Sequence, residues 1–195
     1  VRLRNLSVKS EERASFILPK KPATLLKNLL AKEDGVVRLQ FDDNNAYVHC
    51  VNFEMVCRLI EGRYPNYNSV IPKENPFQVT IDRLSLLNAL KRVSVFSNQS
   101  SSLIKLHLKD NLLTVSAQDI DFSTSAEERI PCAYEGDELS IGFKATYLID
   151  ILGNLSSTDV ILQLADPSRA GLIFPSENEE NEDFLMLLMP MMLND

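Results

Sequence analysis

KATYLIDILGNL, Lys144–Leu155, decides how this chain folds. Tyr147, Leu148, Ile151, Leu152 and Leu155 recur at helical spacing and mark an apolar stripe. Behind this helix come DVILQLA, a polar turn, AGLIF and the terminal FLMLLMPM, all reading as strands. About 120 residues earlier the same succession runs PATLL (from Pro22), GVVRLQF, a polar turn, AYVHCV and MVCRLIEG. The repeating unit is a helix followed by three strands. Its second copy is preceded by a first half, roughly residues 73–142, whereas only some twenty residues precede the first. The chain therefore reads as one whole repeat and the second half of another.

Two more segments complete the pattern. PKKPATLLKNLLAK, Pro19–Lys32, predicts a helix with Pro22 in its first turn and Leu25, Leu26, Leu29 and Leu30 on one side. TIDRLSLLNALKRVSVFS, Thr80–Ser97, predicts another, with Leu84, Leu87 and Leu90 or Val93 buried. LIKLHLKDNLLTVSAQ predicts a hairpin turning at Lys-Asp-Asn, and VRLRNLSVKS at the N-terminus an alternating strand. The class is α+β, with antiparallel hairpins and amphipathic helices.

The formal charge is -7, but it is unevenly placed. Residues 19–32 carry +4, residues 80–97 carry +2, and residues 144–155 are neutral, so the rest of the chain is strongly acidic. Basic helices on an acidic scaffold suit a polyanion on the helix side. The plainer alternative is that these lysines are simply solvated. Stacking aromatics and a recognition-helix pattern are both missing, so nucleic acid would be held by its phosphates without sequence readout.

Little here supports catalysis. His49 and His107 lie in strand patterns without ligand spacing, and there is no glycine-rich phosphate loop and no GxSxG elbow. Three cysteines without a CxxC spacing argue against a metal site or a disulfide framework and fit a reducing cytoplasm. SENEENED, Ser176–Asp183, reads as a solvated acidic loop. No segment has the apolar length to span a bilayer. Neither enzyme activity, cofactor nor metal is expected. The chain begins without an initiator Met and reads as a fragment or processed product.

FILPKK before the first helix, LIEGRYPNYNSVIP (Leu59–Pro72), SNQ after the second helix, IGFKATYLIDIL and the terminal LMPMML follow one another in this order. Together they resemble the bacterial sliding clamp family, the beta subunit of the replicative DNA polymerase. The resemblance covers essentially the whole chain: residues 1–68 as the second half of a clamp middle domain, residues 69–195 as the C-terminal domain. It implies a DNA-clamp fold, with antiparallel sheets outside and amphipathic helices on the inner face. It also implies a processivity factor that encircles double-stranded DNA as a homodimeric ring in the full-length parent. The implied partners are the polymerase catalytic subunit, the clamp loader and other proteins carrying a clamp-binding motif.

Carried over by motif, the DNA-facing residues would be Lys20, Lys21, Lys27, Arg83, Asn88, Lys91 and Arg92. Asn88 and Arg92, four apart on one helix face, are the better pair. In the hydrophobic peptide pocket Leu187, Met189, Pro190, Met191 and Met192 would form a wall and Pro65 and Val70 the floor. Tyr147 would be a gate, flanked by Lys144, Ser168 and Ala170. Methionines suit a surface that accepts several peptides. Val95 and Phe96 would lie at the dimer interface. Ser69 and Met192 stand where the family carries basic residues, so peptide preference is expected to differ. The other reading of the same features is an α+β peptide-binding module with no DNA role.

Overall fold

The computed structural model describes residues 2–4 and 14–193. The predicted N-terminal strand lies largely outside these; its described part is β1, Arg2–Arg4. Two compact units emerge: an N-terminal unit of Val8–Ser69, and a C-terminal unit of Val70–Asp195 together with Val1–Ser7.

The N-terminal unit is a helix followed by three strands: α1 (Lys20–Leu30), β2 (Arg38–Phe41), β3 (Asn45–His49) and β4 (Glu54–Arg58). The strands form an antiparallel sheet in the order β2-β3-β4. Asp42 closes the first turn by accepting from the backbone N–H of Asn44 and Asn45 at 2.8 and 2.7 Å. These bonds hold its carboxyl below the usual range. The core is small: Ala46, Cys57 and Leu59, packed by Phe16, Leu18 and Met55. The predicted leucine stripe of α1 exists, but no residue of this helix is fully buried.

The C-terminal unit contains two such modules. The first runs β5 (Phe77–Asp82), α2 (Arg83–Val93), a 3-10 turn (Ser94–Phe96), β6 (Leu103–Lys109), β7 (Leu112–Asp119) and β8 (Thr124–Pro131). The short β9 (Ala133–Tyr134) links it to β10 (Leu139–Lys144), α3 (Ala145–Gly153), β11 (Asp159–Leu164), β12 (Gly171–Pro175), β13 (Glu182–Phe184) and β14 (Met186–Leu188). The two modules exchange strands. β10, which leads into α3, pairs with β6, and β5, which leads into α2, pairs with β11. Two antiparallel sheets result, β10-β6-β7-β8 and β14-β12-β11-β5-β9, and the helices α2 and α3 pack on each other. Ile81, Leu86, Leu90, Ile104, Leu106, Ile141, Phe143, Leu148, Leu152 and Leu162 fill one core. This is the expected α+β class.

Local chemistry explains the boundaries. Asp110 and Asn111 both adopt positive φ, 50° and 62°, giving β6–β7 the tight turn that suits twisted strands. Asp82 caps α2 by accepting from the Ser85 N–H at 2.7 Å. The helix therefore starts at Arg83, and Thr80–Asp82, predicted as helix, belong to β5. Leu84, expected on the buried side, is exposed, while Leu86, Leu87, Ala89, Leu90 and Val93 are buried.

The acidic loop is likewise more than solvated. Glu182 is buried, and β13 pairs with β1. The Arg2 guanidinium donates twice to Glu182, from Nε to Oε1 at 2.5 Å and from Nη2 to Oε2 at 3.0 Å, and lies over the Phe184 ring.

Candidate peptide-docking surface and basic helix faces

The chain end is apolar, yet it stays open. β14 adds to β12 with Leu188 opposite Gly171 and Leu187 opposite Leu172. Leu188 points into the core at 8% exposure, while Met189 and Met192 are 58% and 74% exposed. Beyond Pro190 the tail crosses to the other sheet, where the Met191 N–H donates to the Gly142 carbonyl at 2.8 Å. Gly142 permits this closeness: a Cβ there would lie 2.6 Å from the Met191 carbonyl oxygen. Gly142 precedes Lys144 and the start of α3, so the tail is fixed beside the helix bearing Tyr147. Tyr147 is exposed, and the Lys144 ammonium lies 5.5 Å from its ring centroid, a cation–π contact.

The flanking residues are organised from below. Ser168 is exposed in a turn where its N–H and hydroxyl both donate to Asp166, holding that carboxyl below its usual range. Ala170 is buried, and its carbonyl accepts from the Asn75 amide at 2.9 Å; the same amide reaches the Gln163 carbonyl at 2.9 Å. Arg169 donates to the Glu74 carbonyl at 2.9 Å. The stretch following the exposed Val70 is thereby tied to the 166–170 turn. Leu187, Pro190 and Met191 are half-buried. Pro65 is exposed in the N-terminal unit, just before a 3-10 turn over Tyr67–Ser69.

The basic candidates fare unequally. Lys20, Lys21 and Lys27 are exposed on α1, and Asn88, Lys91 and Arg92 on α2. Arg83 is half-buried and committed inward: its Nε donates to the Ser157 carbonyl at 2.7 Å and its Nη1 to the Leu152 carbonyl at 3.2 Å. It completes the C-terminal end of α3, where backbone carbonyls lack helical partners. Arg92 donates to both carboxylate oxygens of Glu128 on β8. Sequence reasoning missed both partners, and it also missed Asn75 and Gly142. Val95 and Phe96 are exposed on the 3-10 turn after α2.

The histidines and cysteines have ordinary surroundings. His49 pairs with Glu54 at 3.1 Å, and His107 with the Ser140 hydroxyl at 2.9 Å. Burial pushes the Cys50 and Cys132 thiols up, away from the thiolate a nucleophile needs. Among the described residues no cluster of His, Cys, Asp or Glu could hold a metal ion, and no helix is long and apolar enough to cross a membrane.

Two family models match in succession: the DNA polymerase III beta subunit central domain over residues 1–66, and its C-terminal domain over residues 68–192. The beta sliding clamp of Haemophilus influenzae is 36% identical over 179 residues, covering 92% of this chain and 48% of that protein. The beta sliding clamp of Pseudomonas aeruginosa is 30% identical over 186 residues, covering 95% and 50%. The solved sliding clamp of P. aeruginosa bound to griselimycin superposes with a TM-score of 0.89 at 29% identity, covering 97% of this chain and 50% of its own. The chain thus spans about half the length of the curated relatives it matches.

Proposed function

The chain belongs to the DNA polymerase III beta subunit family, and from that premise we propose that it works as part of a sliding clamp. It is a non-enzymatic cytoplasmic processivity factor that helps encircle duplex DNA and docks polymerase, clamp loader and repair proteins by short peptides. Its C-terminal domain starts near residue 69 and follows the second half of a middle domain.

The observation carrying this reading is the open tail: a strand anchored by Leu188 and the Met191–Gly142 bond that still leaves Met189 and Met192 exposed. Anchoring fixes the wall, and flexible thioethers adapt to different side chains. Tyr147 gates the surface from α3, its ring held by Lys144. Val70, Leu187, Pro190, Ser168 and Ala170 complete the lining. DNA is held without sequence readout by Lys20, Lys21, Lys27, Asn88, Lys91 and Arg92, because phosphate contacts alone leave a protein free to slide. Val95 and Phe96 meet the partner protomer in the closed ring.

The test has two arms. A fluorescent peptide carrying Gln followed by aliphatic and aromatic residues binds this chain, and Met189→Asp weakens binding at least ~10-fold. The full-length parent is retained on circular but not linear DNA. Peptide binding without topological retention favours the other reading, a peptide-binding module with no DNA role. One observation speaks for that module: both arginines of α2 are engaged within the unit.

A further inference from the structure

Asn75 stands just ahead of β5 and serves two other strands at once. Its Nδ2 donates to the Gln163 carbonyl near the end of β11 and to the Ala170 carbonyl directly before β12, both at 2.9 Å. One side chain thereby closes the loop between those strands. A second strap lies beside it, from the Arg169 guanidinium to the Glu74 carbonyl at 2.9 Å. Within the loop Ser168 is bound to Asp166 by its N–H and its hydroxyl. Residues 166–169 are all exposed, so apolar burial does little to place them and these hydrogen bonds decide where they sit.

The loop adjoins the proposed docking surface. Gly171 lies opposite Leu188 at the end of the antiparallel β12–β14 ladder, so Ala170 and Met189 are the next residues out on the two strands. Met189 is exposed and Ala170 is buried. Past Met189 the tail is fixed again, by the bond from Met191 to Gly142. The position of Ala170 therefore sets the flank against which Met189 is displayed.

The amide that holds Ala170 does so at a cost. Its Oδ1 is buried and, among the described residues, accepts no hydrogen bond. A buried acceptor without a donor is unfavourable, and a leucine would fill a similar volume without one. What a leucine lacks is the pair of donors that fixes two carbonyls.

We propose that Asn75 is a positioning residue for peptide docking. By holding the Gln163 and Ala170 carbonyls it fixes the 166–170 loop beside the open tail, so that Ser168 and Met189 meet a peptide as one preformed flank. A flank already in place does not have to be ordered when the peptide binds. The inference rests on the peptide-docking reading given above.

The test uses the whole chain and a fluorescent peptide of Gln followed by aliphatic and aromatic residues, free of acidic residues and histidine. Asn75→Asp keeps the shape but turns the donor into an acceptor facing two carbonyls. Its peptide affinity at about pH 7.5 falls at least ~10-fold relative to the parent. Burial among acceptors raises the new carboxyl, and once protonated it donates to one of them, so the loss shrinks by about pH 5. Lys73 and Glu74 beside it and Asp166 and Arg169 in the loop are the charged groups around this position. The parent carries all four, so the ratio of variant to parent isolates the new carboxyl. Asn75→Leu loses affinity equally at both pH values. In both variants the Arg169 amide exchanges faster at the higher pH, while β6 and β7 keep parental protection and show the unit folded. Parental affinity in both variants overturns this inference alone. So does a loss in Asn75→Asp that is the same at both pH values. A parent that binds no peptide overturns the docking reading, and this inference with it, before any variant is made.

Discussion

Arg92 on α2 reaches across to Glu128 on β8, giving Nε to Oε2 at 3.0 Å and a second N–H to Oε1. The guanidinium proposed to meet phosphate is already answered by a carboxylate of its own unit. The pairing raises the arginine and holds the Glu128 carboxyl below its usual range. A carboxyl depressed in the fold contributes stability above its unfolded value, and loses it as pH falls through the folded one. Arg92 is exposed, so a phosphate that meets it competes with Glu128, and removing that carboxylate removes the competition. Glu128→Gln should strengthen binding to short duplex DNA and steepen the log affinity versus log salt slope by about 0.9. Anisotropy titrations at graded salt measure this; an unchanged slope means that Arg92 does not meet phosphate.

Arg83 leads to the opposite expectation. Its fork is spent on the carbonyls of Leu152 and Ser157, one at the end of α3 and one in the loop after it. Arg83→Met strands those half-buried acceptors and should cost about 1–3 kcal/mol in chemical denaturation. The salt dependence of DNA binding should not change. Arg83→Lys should recover little, since an ammonium does not reproduce the two-pronged donor.

These two arginines show where sequence reading stops. The helix–strand–strand–strand repeat was legible because apolar periodicity and the Asp-Asn turn are local signals. The strand exchange between β5 and β11 was not, because register is settled by pairing partners some eighty residues apart. Thr80–Asp82 was read as helix because neither Gly nor Pro separates β5 from α2. The cue was Asp82 with Ser85 three residues on, a cap rather than a helical turn. Glu182 was hidden in a run of acids, and its pairing with Arg2, 180 residues away, singles it out. At the tail the methionines were visible, but which of them face outward depends on the register of β14 against β12.

That register makes neighbouring substitutions diverge. Met189 is more than half exposed and Leu188 is in the core. Met189→Asp should lower peptide affinity at least tenfold, about 1.4 kcal/mol, with thermal unfolding unchanged. Leu188→Ala should cost about 2–5 kcal/mol of stability. Peptide titration and calorimetry on the same samples separate the two effects.

The β1 strand tests a contact far from any candidate ligand. Arg2 holds Glu182 with two hydrogen bonds, and the paired strands are three residues long. So short a pairing depends on its side chains. Glu182→Gln removes the charge from a buried acceptor, and the Leu3 amide should then exchange much faster while the core of α2 and α3 keeps its protection. Hydrogen-exchange mass spectrometry reads both regions in one experiment. Equal exchange at Leu3 in variant and parent would show that backbone pairing alone holds β1.

Gly142→Ala reaches the peptide surface without altering any residue that lines it. The new methyl would lie 2.6 Å from the Met191 carbonyl oxygen and 2.9 Å from the Leu193 side chain. The backbone atom cannot swing aside as a flexible side chain does, so the tail must lift. The Met191–Gly142 bond at 2.8 Å is lost with it. Leu188 stays anchored in β14, so the unit remains folded, but Met189 and Met192 are no longer held in place. Peptide affinity should fall about as far as in Met189→Asp, with fast exchange at the Met191 amide and a near-parental unfolding temperature. Parental affinity in this variant would mean that the strand up to Leu188 positions the methionines, and that the contact with Gly142 has no part in it.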